Sequence, residues 1–366
     1  MINGALPNAA GPFTRPRVLL AFILGAGLAL RLWGAAFASS TPLGRPDEEI
    51  FAVEALAMFT RPCHRLATGW PDGFFVVWHT VLRMERAFFD LRYGVGRTSL
   101  ACLLAIRPLA IELPVRVLSA CLGTITAWVA GRLAAALAAP EAERAASAAP
   151  WATAIVAANY LVGRDGHFAV SDTAVCLGVA LTLLACVKAI SRGPGWLVLA
   201  AFCAGLASSV KYSAAGLAFP CAAAGLALLV RLRGRAATPI ACALVAAAAG
   251  VLLLSPDILT DWHGFREGLA SHTMRYAPSG PADPPAGLIT YPATVLPAAF
   301  GWPAWILCVA GLAGLAFHSR GRAHHLPVTI FVVGFAVAVL GRLAGKVNVL
   351  VTPARVTVSV LPAKPC

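Results

Sequence analysis

Long apolar segments alternate with short polar connections along most of this chain. A bilayer core requires about 20 apolar residues for each helical span. Windows of that kind predict spans near 17–38, 114–137, 150–163, 173–190, 195–210, 214–230, 236–255, 293–317 and 326–341. The pattern therefore predicts an all-α polytopic membrane protein.

The first apolar window allows two interpretations. Arg15 and Arg17 precede it, and Ala36-Phe37-Ala38 is similar to a signal-peptidase cleavage site. A retained signal-anchor helix is the favoured interpretation, because the distribution of charge between the loops fits only if this span remains.

A long loop, residues 39–113, follows the first span. Two of its segments are apolar, but 73–91 carries Arg83, Glu85 and Arg86, and 98–112 carries Arg107 and Pro108. We therefore expect these segments to form helices that lie in the membrane interface. The alternative is a hairpin through the membrane. With either arrangement, each later loop is predicted to lie on the same side of the membrane.

Composition excludes two broad classes of protein. The chain is 59% hydrophobic and 12% charged, whereas soluble domains carry about 25% charged residues. The net charge of +13 comes from short clusters between apolar runs rather than a continuous stripe, so nucleic acid is not an expected partner. The cysteines form no CxxC pair and mostly lie in apolar runs, which favours helix packing.

Basic and acidic residues separate onto alternate loops. Cytoplasmic loops of membrane proteins collect Lys and Arg. With the N-terminus inside, the inside loops carry Arg15, Arg17, Arg132, Arg144, Lys188, Arg192, Arg231, Arg233, Arg235, Arg320 and Arg322. Most acids then fall on the external side, and Glu141 with Glu143 stays inside. The loops at 39–113, 164–172 and 256–290 are therefore predicted to be external.

Two acidic clusters directly follow hydrophobic spans. Asp47, Glu48 and Glu49 follow Pro46, and the second cluster runs from Asp165 to Asp172 and includes His167. A carboxylate next to a bilayer is unfavourable and marks a candidate functional site. Because both loops are assigned to one side, the two clusters can form one pocket.

The order of these motifs resembles glycosyltransferase family 39, whose members have the GT-C fold. The resemblance covers most of residues 17–320 and is carried by Arg45-Pro46-Asp47-Glu48, Arg116-Val117-Leu118-Ser119, His167 to Thr173, Ala207 to Tyr212, and Ser255-Pro256-Asp257 with Asp261 to Phe265.

The resemblance implies a GT-C type helical bundle that transfers a sugar from a polyprenyl-phosphate donor to a protein, lipid or glycan acceptor. It also implies an integral protein of the bacterial inner membrane with an external active site. By the same resemblance Asp47 is the base, and Asp172 binds a metal or shapes the site.

The chemistry of such a transfer points to further residues. The acceptor hydroxyl needs a base, for which Asp47 is the candidate, with Glu48 beside it. The donor phosphate needs cations, and Lys211, Arg116 and Arg45 are the candidates. A carboxylate next to a phosphate is repulsive unless a cation intervenes. We therefore expect either a divalent metal ion at Asp172 with His167, or a direct pairing of Asp172 with Lys211 or Arg164.

Structural roles compete with each of these assignments. Asp47 and Glu48 also suit the first turn of a helix that begins at Pro46, and Asp172 with Thr173 suits an N-cap. His167 is also compatible with a structural role, and Lys211 with snorkelling at a span end.

Two other functions remain open at this stage. A transporter normally carries its charges near the bilayer midplane, where Arg31 is the obvious candidate here. A non-catalytic membrane assembly protein is the second alternative.

The sequence predicts a multi-span catalytic domain at 1–345 and a divergent or truncated tail at 346–366, where valines alternate as in a strand.

Overall fold

The regular elements of the protein are helical wherever its computed structural model describes the chain. The described residues are 14–36, 46–59, 71–93, 108–138 and 142–275, with isolated residues between 297 and 332. The α-helices are α1 (Thr14–Ala35), α2 (Pro46–Ala57), α3 (Gly73–Tyr93), α4 (Pro108–Ala138), α5 (Ala142–Ala158), α6 (Tyr160–Asp165), α7 (Asp172–Arg192), α8 (Gly195–Val210), α9 (Ala218–Leu232), α10 (Ala237–Leu254), α11 (Asp257–Thr260) and α12 (Trp262–Arg275). Short 3₁₀ helices lie at Tyr212–Leu217 and Arg233–Ala236.

Five of the described helical segments are long and apolar enough to cross a membrane. They are Arg17–Ala35, Leu109–Ala138, Asp172–Arg192, Tyr212–Leu232 and Ala237–Leu254, and the shorter apolar helices are Ala145–Ala158 and Gly195–Val210. The predicted all-α membrane fold is thereby confirmed. Most of the predicted spans at 293–317 and 326–341, and all of the tail at 346–366, lie outside the described residues.

Three boundaries differ from the prediction. The apolar window predicts a helix that begins near residue 114, and proline suits the first turn of a helix. Pro108 takes that position instead, Pro114 lies inside α4, and residues 108–112 are therefore part of this long helix. The span predicted at 150–163 is divided at Asn159, whose side-chain oxygen accepts a bond from Val162 N and starts α6.

The start of α7 also departs from the expected cap. The N-cap position belongs to Ser171, which makes no side-chain capping bond, and Asp172 lies in the first turn. A negative charge there is favoured by the helix dipole. Asp47, Glu48 and Glu49 occupy the equivalent first turn of α2, as the helical interpretation of that motif predicted.

The loop helices α2 and α3 pack against one end of the bundle. Their apolar core contains Phe51, Phe74 and Trp78, and it reaches α4 through Ile111 and α8 through Val210. Helix α3 is not among the segments long and apolar enough to span a membrane. It also exposes apolar residues at helical spacing, Met84, Phe88 and Leu91. This pattern is typical of a helix in the membrane interface, which stays our prediction for α3.

Side-chain bonds bring alternate helix ends together. The end of α1, the start of α2, the start of α4 and the loop before α7 share one end of the bundle, which we call the acidic end. An ion pair between Lys211 and Asp172 adds the end of α8 to it. At the opposite, basic end, Arg231 of α9 donates a hydrogen bond to Ile190 O of α7.

Glycines allow α8 and α10 to pack closely. A Cβ at Gly205 would clash with Ala247 O, and one at Gly250 would clash with Phe202 O. Small residues at such crossings let the backbones of membrane helices approach. The crossing fixes α10, and therefore Ser255 at its end, relative to Lys211 at the end of α8.

Candidate functional site

A buried ion network fixes the first acidic cluster. Arg116 of α4 donates from Nε to Glu48 Oε1 at 3.0 Å and from Nη2 to Glu48 Oε2 at 2.9 Å. Nη2 also donates to Glu112 Oε2 at 2.6 Å, and Nη1 donates to Ala35 O at 3.1 Å. The side chains of Arg116, Glu48 and Glu112 are 1%, 0% and 2% exposed. Because the Arg116 guanidinium of α4 is bonded to Ala35 O of α1 and to the Glu48 carboxylate of α2, the network joins these three helices.

The same carboxylate holds the second acidic loop. Glu48 Oε1 accepts a hydrogen bond from Ala169 N at 2.6 Å, and Trp78 Nε1 donates to Ala169 O at 3.1 Å. Both backbone groups of Ala169 are therefore bonded to the α2–α3 unit. Ala169 lies three residues before Asp172, so the segments that carry the two acidic clusters are bonded to each other at the acidic end. One pocket shared by the two clusters stays a prediction.

Asp47 lies beside this network but differs from Glu48 in its surroundings. It is half-buried in the first turn of α2, whereas Glu48 is fully buried and accepts three bonds. Glu48 would have to give up one of these bonds to take a proton from a substrate. Asp47 therefore suits the role of base better. Arg45, a predicted phosphate ligand, lies outside the described residues.

An ion pair joins the start of α7 to the end of α8. Lys211 Nζ donates to Asp172 Oδ1 at 2.6 Å, and the two side chains are 37% and 32% exposed. Direct pairing of Asp172 with Lys211 was one of the predicted arrangements. Arg164, the other predicted partner, instead pairs with its neighbour Asp165 at 2.9 Å.

His167 is held against α1. Its Nδ1 lies 2.8 Å from Arg31 O, and the ring fills the space that a Cβ at Gly34 would occupy. Within the described ranges, no group of three His, Cys, Asp or Glu side chains is arranged to hold a metal ion. The metal at Asp172 and His167 therefore stays a prediction.

Arg31, predicted as a mid-span charge, lies in the acidic half of the bundle. It is 1% exposed. Its Nη1 donates to Gly27 O at 2.9 Å and to Ala157 O at 3.1 Å, and Nη2 donates to Val156 O at 3.5 Å. The last carbonyls of a helix have no partner within that helix, so Arg31 caps α5 from outside. This contact explains the charge without a transport pathway.

Glycines make room for the Arg31 side chain. A Cβ would approach it to 3.2 Å from Gly27, to 3.0 Å from Gly123 and to 3.1 Å from Gly166. These three glycines come from different segments of the sequence, so the site was not recognisable from any one motif. The signal that was available is a mid-span arginine together with Gly27 one turn before it on α1, Gly123 on α4 and Gly166 at the end of α6.

A large apolar groove opens beside this arginine. Its volume is about 820 Å³, and its lining comes from the end of α1, the junction of α5 with α6, and His167 with Phe168. We call it the lateral groove. Trp33 and Tyr160 on its rim are 83% and 64% exposed. Trp and Tyr are enriched at membrane interfaces, so the groove suits an amphipathic ligand from the bilayer.

Two residues that line the lateral groove, Arg31 and Asn159, each carry one buried donor atom. Arg31 Nε and Asn159 Nδ2 have no hydrogen-bond partner in the described part of the chain. Buried donors are normally bonded. Both donors are enclosed by protein, and the wall that the groove exposes is mainly apolar.

No family model, curated protein or solved structure matches this chain significantly. The resemblance to glycosyltransferase family 39 stays a prediction that rests on the motifs quoted above.

Proposed function

We propose that this chain is a membrane glycosyltransferase that moves a sugar from a polyprenyl-phosphate donor to a hydroxyl acceptor. The observation that carries the proposal is the 2.6 Å bond between Glu48 Oε1 and Ala169 N. It joins the turn that contains Asp47 to the loop that leads to Asp172. The lateral groove, lined in part by His167 and Phe168, adjoins the same loop.

The proposed reaction is one inverting displacement. The acceptor oxygen forms a bond to the anomeric carbon of the sugar while the bond from that carbon to the phosphate oxygen breaks. The hydroxyl proton passes to the Asp47 carboxylate, and the polyprenyl phosphate leaves as an anion. This leaving group is a stabilised anion, so the reaction needs a base for the acceptor but no strong acid for the donor.

The predicted cations divide into two roles in this proposal. The side chain of Arg116 is 1% exposed and bonded to Glu48 and Glu112, so it acts as a positioning residue for the Asp47 turn. The side chain of Lys211 is 37% exposed. It is the described candidate that can reach a phosphate, with Asp172 orienting its ammonium group.

The lateral groove supplies the route for the lipid part of the donor. Its apolar wall suits an isoprenoid chain, and its lining also includes Arg31 and Asn159. The separation of acidic and basic loops favours an external site, and a bacterial inner membrane is the proposed location. The acceptor is a protein, lipid or glycan hydroxyl.

Labelling of single cysteines in intact cells would test the orientation. Cysteines introduced at Asp72 and Gly280 should both react with an impermeant maleimide from outside. Protection of one and exposure of the other would contradict the shared external side.

Reconstitution would test the activity directly. The purified chain in proteoliposomes would be given polyprenyl-phosphate mannose, glucose, galactose and arabinose with a membrane extract as acceptor. The expected result is release of polyprenyl phosphate together with a glycosylated product for at least one donor. Consumption of none of these donors, in preparations with native helical content, would contradict the proposal.

A further inference from the structure

A polar pocket lies between the end of α2 and the side of α3. We call it the basic pocket; its volume is about 470 Å³, and its lining is mainly polar. The lining includes Phe59, His79, Arg83, Arg86 and Asp90. The basic pocket shares no lining residue with the lateral groove. The length of α2, 12 residues or about 18 Å of helix, separates it from the acidic first turn of that helix.

Two guanidinium groups give the basic pocket its charge. Arg83 and Arg86 lie one turn apart on α3, so their side chains are neighbours on the helix surface. Arg83 is exposed and forms no ion pair within the described part of the chain. Arg86 Nε lies 3.8 Å from Asp90 Oδ2, and both side chains are 41% exposed. A solvated pair of this kind contributes little to stability, so Arg86 can turn from Asp90 to a ligand of higher charge.

Contacts behind the two arginines hold the wall of the basic pocket in place. Phe59 continues the last turn of α2, because its backbone N–H donates to Leu56 O at 3.1 Å. The guanidinium carbon of Arg86 lies 5.6 Å from the centre of the Phe59 ring, and the His79 ring lies 4.5 Å from that ring. His79 Nδ1 donates to Ala55 O at 3.0 Å. This bond satisfies a carbonyl near the negative end of α2, which would otherwise oppose an anion.

Helix geometry places the basic pocket away from the apolar face of α3. The polar residues that α3 contributes to the pocket share one face of the helix: His79, Arg83, Arg86 and Asp90. The exposed apolar residues Met84, Phe88 and Leu91 form another face. At 3.6 residues per turn, the two faces are about 140° apart around the helix. With the apolar face in the bilayer, as predicted for α3, the pocket opens towards water, and its ligand comes from the aqueous phase.

Two neighbouring guanidinium groups suit a phosphate better than a carboxylate. A phosphate monoester carries a charge of about −1.5 to −2 and three strong acceptor oxygens, so it can pair with both arginines at once. Arginine binds such oxygens through two parallel hydrogen bonds. A carboxylate offers two oxygens and one charge. Small-molecule sites have volumes of about 300–1,000 Å³, so the basic pocket, at about 470 Å³, also has room for the rest of a small molecule.

We infer that the basic pocket binds the phosphate group of a small, water-soluble phosphate monoester. Arg83 and Arg86 hold the phosphate, and Phe59 with His79 forms the wall behind Arg86. The anion takes the place of Asp90 as the partner of Arg86. This binding requires neither Asp47 nor the lateral groove, so it is independent of the proposed transferase.

Isothermal titration calorimetry would test the inference without depending on catalysis. The full chain would be placed in phosphatidylcholine nanodiscs and titrated with glycerol phosphate, glucose 6-phosphate and uncharged glucose. A salt concentration of about 0.15 M screens exposed charges beyond about 8 Å, which suppresses non-specific attraction. We expect saturable binding of at least one of the two phosphates and no binding of glucose.

Single substitutions locate the binding. Arg83→Gln and Arg86→Gln should each weaken phosphate binding roughly 10- to 100-fold, because each removes charge-assisted hydrogen bonds. Arg83 is exposed and forms no ion pair within the described ranges, so its replacement should leave the fold intact. Arg266→Gln is the matched control, because Arg266 is an exposed arginine of α12 that does not line the basic pocket. Arg266→Gln should bind as wild type.

Three results would overturn the inference. The first is no saturable binding of either phosphate, and the second is equal binding by wild type, Arg83→Gln and Arg86→Gln. The third is an equal loss in Arg266→Gln, which would indicate general attraction to a basic protein.

A second titration, in nanodiscs that also contain phosphatidic acid, separates the two sources of phosphate. We expect unchanged binding of the soluble phosphate. Its loss would indicate that a lipid headgroup occupies the basic pocket and would overturn the assignment to an aqueous ligand. Phosphate binding by a preparation that consumes no lipid-linked donor would support this site and contradict only the transferase.

Discussion

Replacing Glu48 with glutamine should destabilise the protein strongly, although the change removes only one charge. Glu48 accepts two bonds from Arg116 and one from Ala169 N, at 3.0, 2.9 and 2.6 Å. Glutamine keeps the size of the side chain. However, its amide has one acceptor oxygen, and its NH₂ group would face an N–H donor of Arg116.

The expected magnitude follows from the burial of the network. Removing one partner of a buried ion pair costs about 3–5 kcal/mol, because the other charge stays buried. Arg116 retains Glu112 at 2.6 Å, so we expect the lower end of that range, about 3 kcal/mol. Glu49→Gln is the matched control, because Glu49 lies in the same helical turn but is exposed. Such surface changes usually stay within about 0.5 kcal/mol.

Unfolding by SDS in mixed micelles, followed by far-ultraviolet circular dichroism, measures both variants. A Glu48→Gln free energy of unfolding within about 0.5 kcal/mol of that of Glu49→Gln would refute the network as a structural link. A double-mutant cycle with Arg116→Gln should give a coupling energy of about 1–3 kcal/mol. Independent effects of the two changes would also contradict the account.

Two further predictions concern charged groups at the acidic end and on α3. Asp172→Asn and Lys211→Met should each weaken use of the lipid-linked donor without changing acceptor preference, as measured by donor titration with and without a chelator. Unchanged donor affinity and turnover in both variants would contradict the assignment of these residues to the donor. Wild-type activity that is insensitive to the chelator would contradict the predicted metal ion. Burial raises the pKa of Glu85 from 4.5 to about 8. Between pH 4.5 and about pH 8 the folded protein therefore keeps a proton that the unfolded chain has lost. The free energy of unfolding should accordingly fall as the pH rises through this range. Glu85→Gln should flatten that dependence in melting curves, and an equally steep dependence in the variant would assign it to other groups.

Hydrophobic patterning was sufficient to predict the helical membrane fold. Segments such as 173–190 and 236–255 are uniformly apolar over the length of a bilayer, and the helices Asp172–Arg192 and Ala237–Leu254 follow them closely. Boundaries were less predictable where several residues compete for one role. The apolar window predicts a start near residue 114, whereas α4 begins at Pro108, and its first turns pack against the α2–α3 unit through Ile111.

Only part of the candidate site could be predicted from the sequence. Charge separation between loops indicated that Asp47 and Asp172 share one side, and the structure joins their loops through Glu48 and Ala169. The sequence did not reveal that Glu48 and Arg116 are partners, because they lie on different helices and each also suited a direct role in catalysis. Only the fold shows that each is the other's buried counter-charge.

Transfer by an Asp47→Asn variant is the measurement that tests the central claim most directly. Asparagine keeps the size of Asp47 and can still occupy the first turn of α2, so it separates catalysis from helix capping. General-base catalysis typically contributes about 10²–10⁴-fold. In the proteoliposome assay we expect a loss of turnover of that size for Asp47→Asn, with native circular dichroism and with Glu49→Gln near wild type. Turnover of Asp47→Asn within about threefold of wild type would contradict Asp47 as the base.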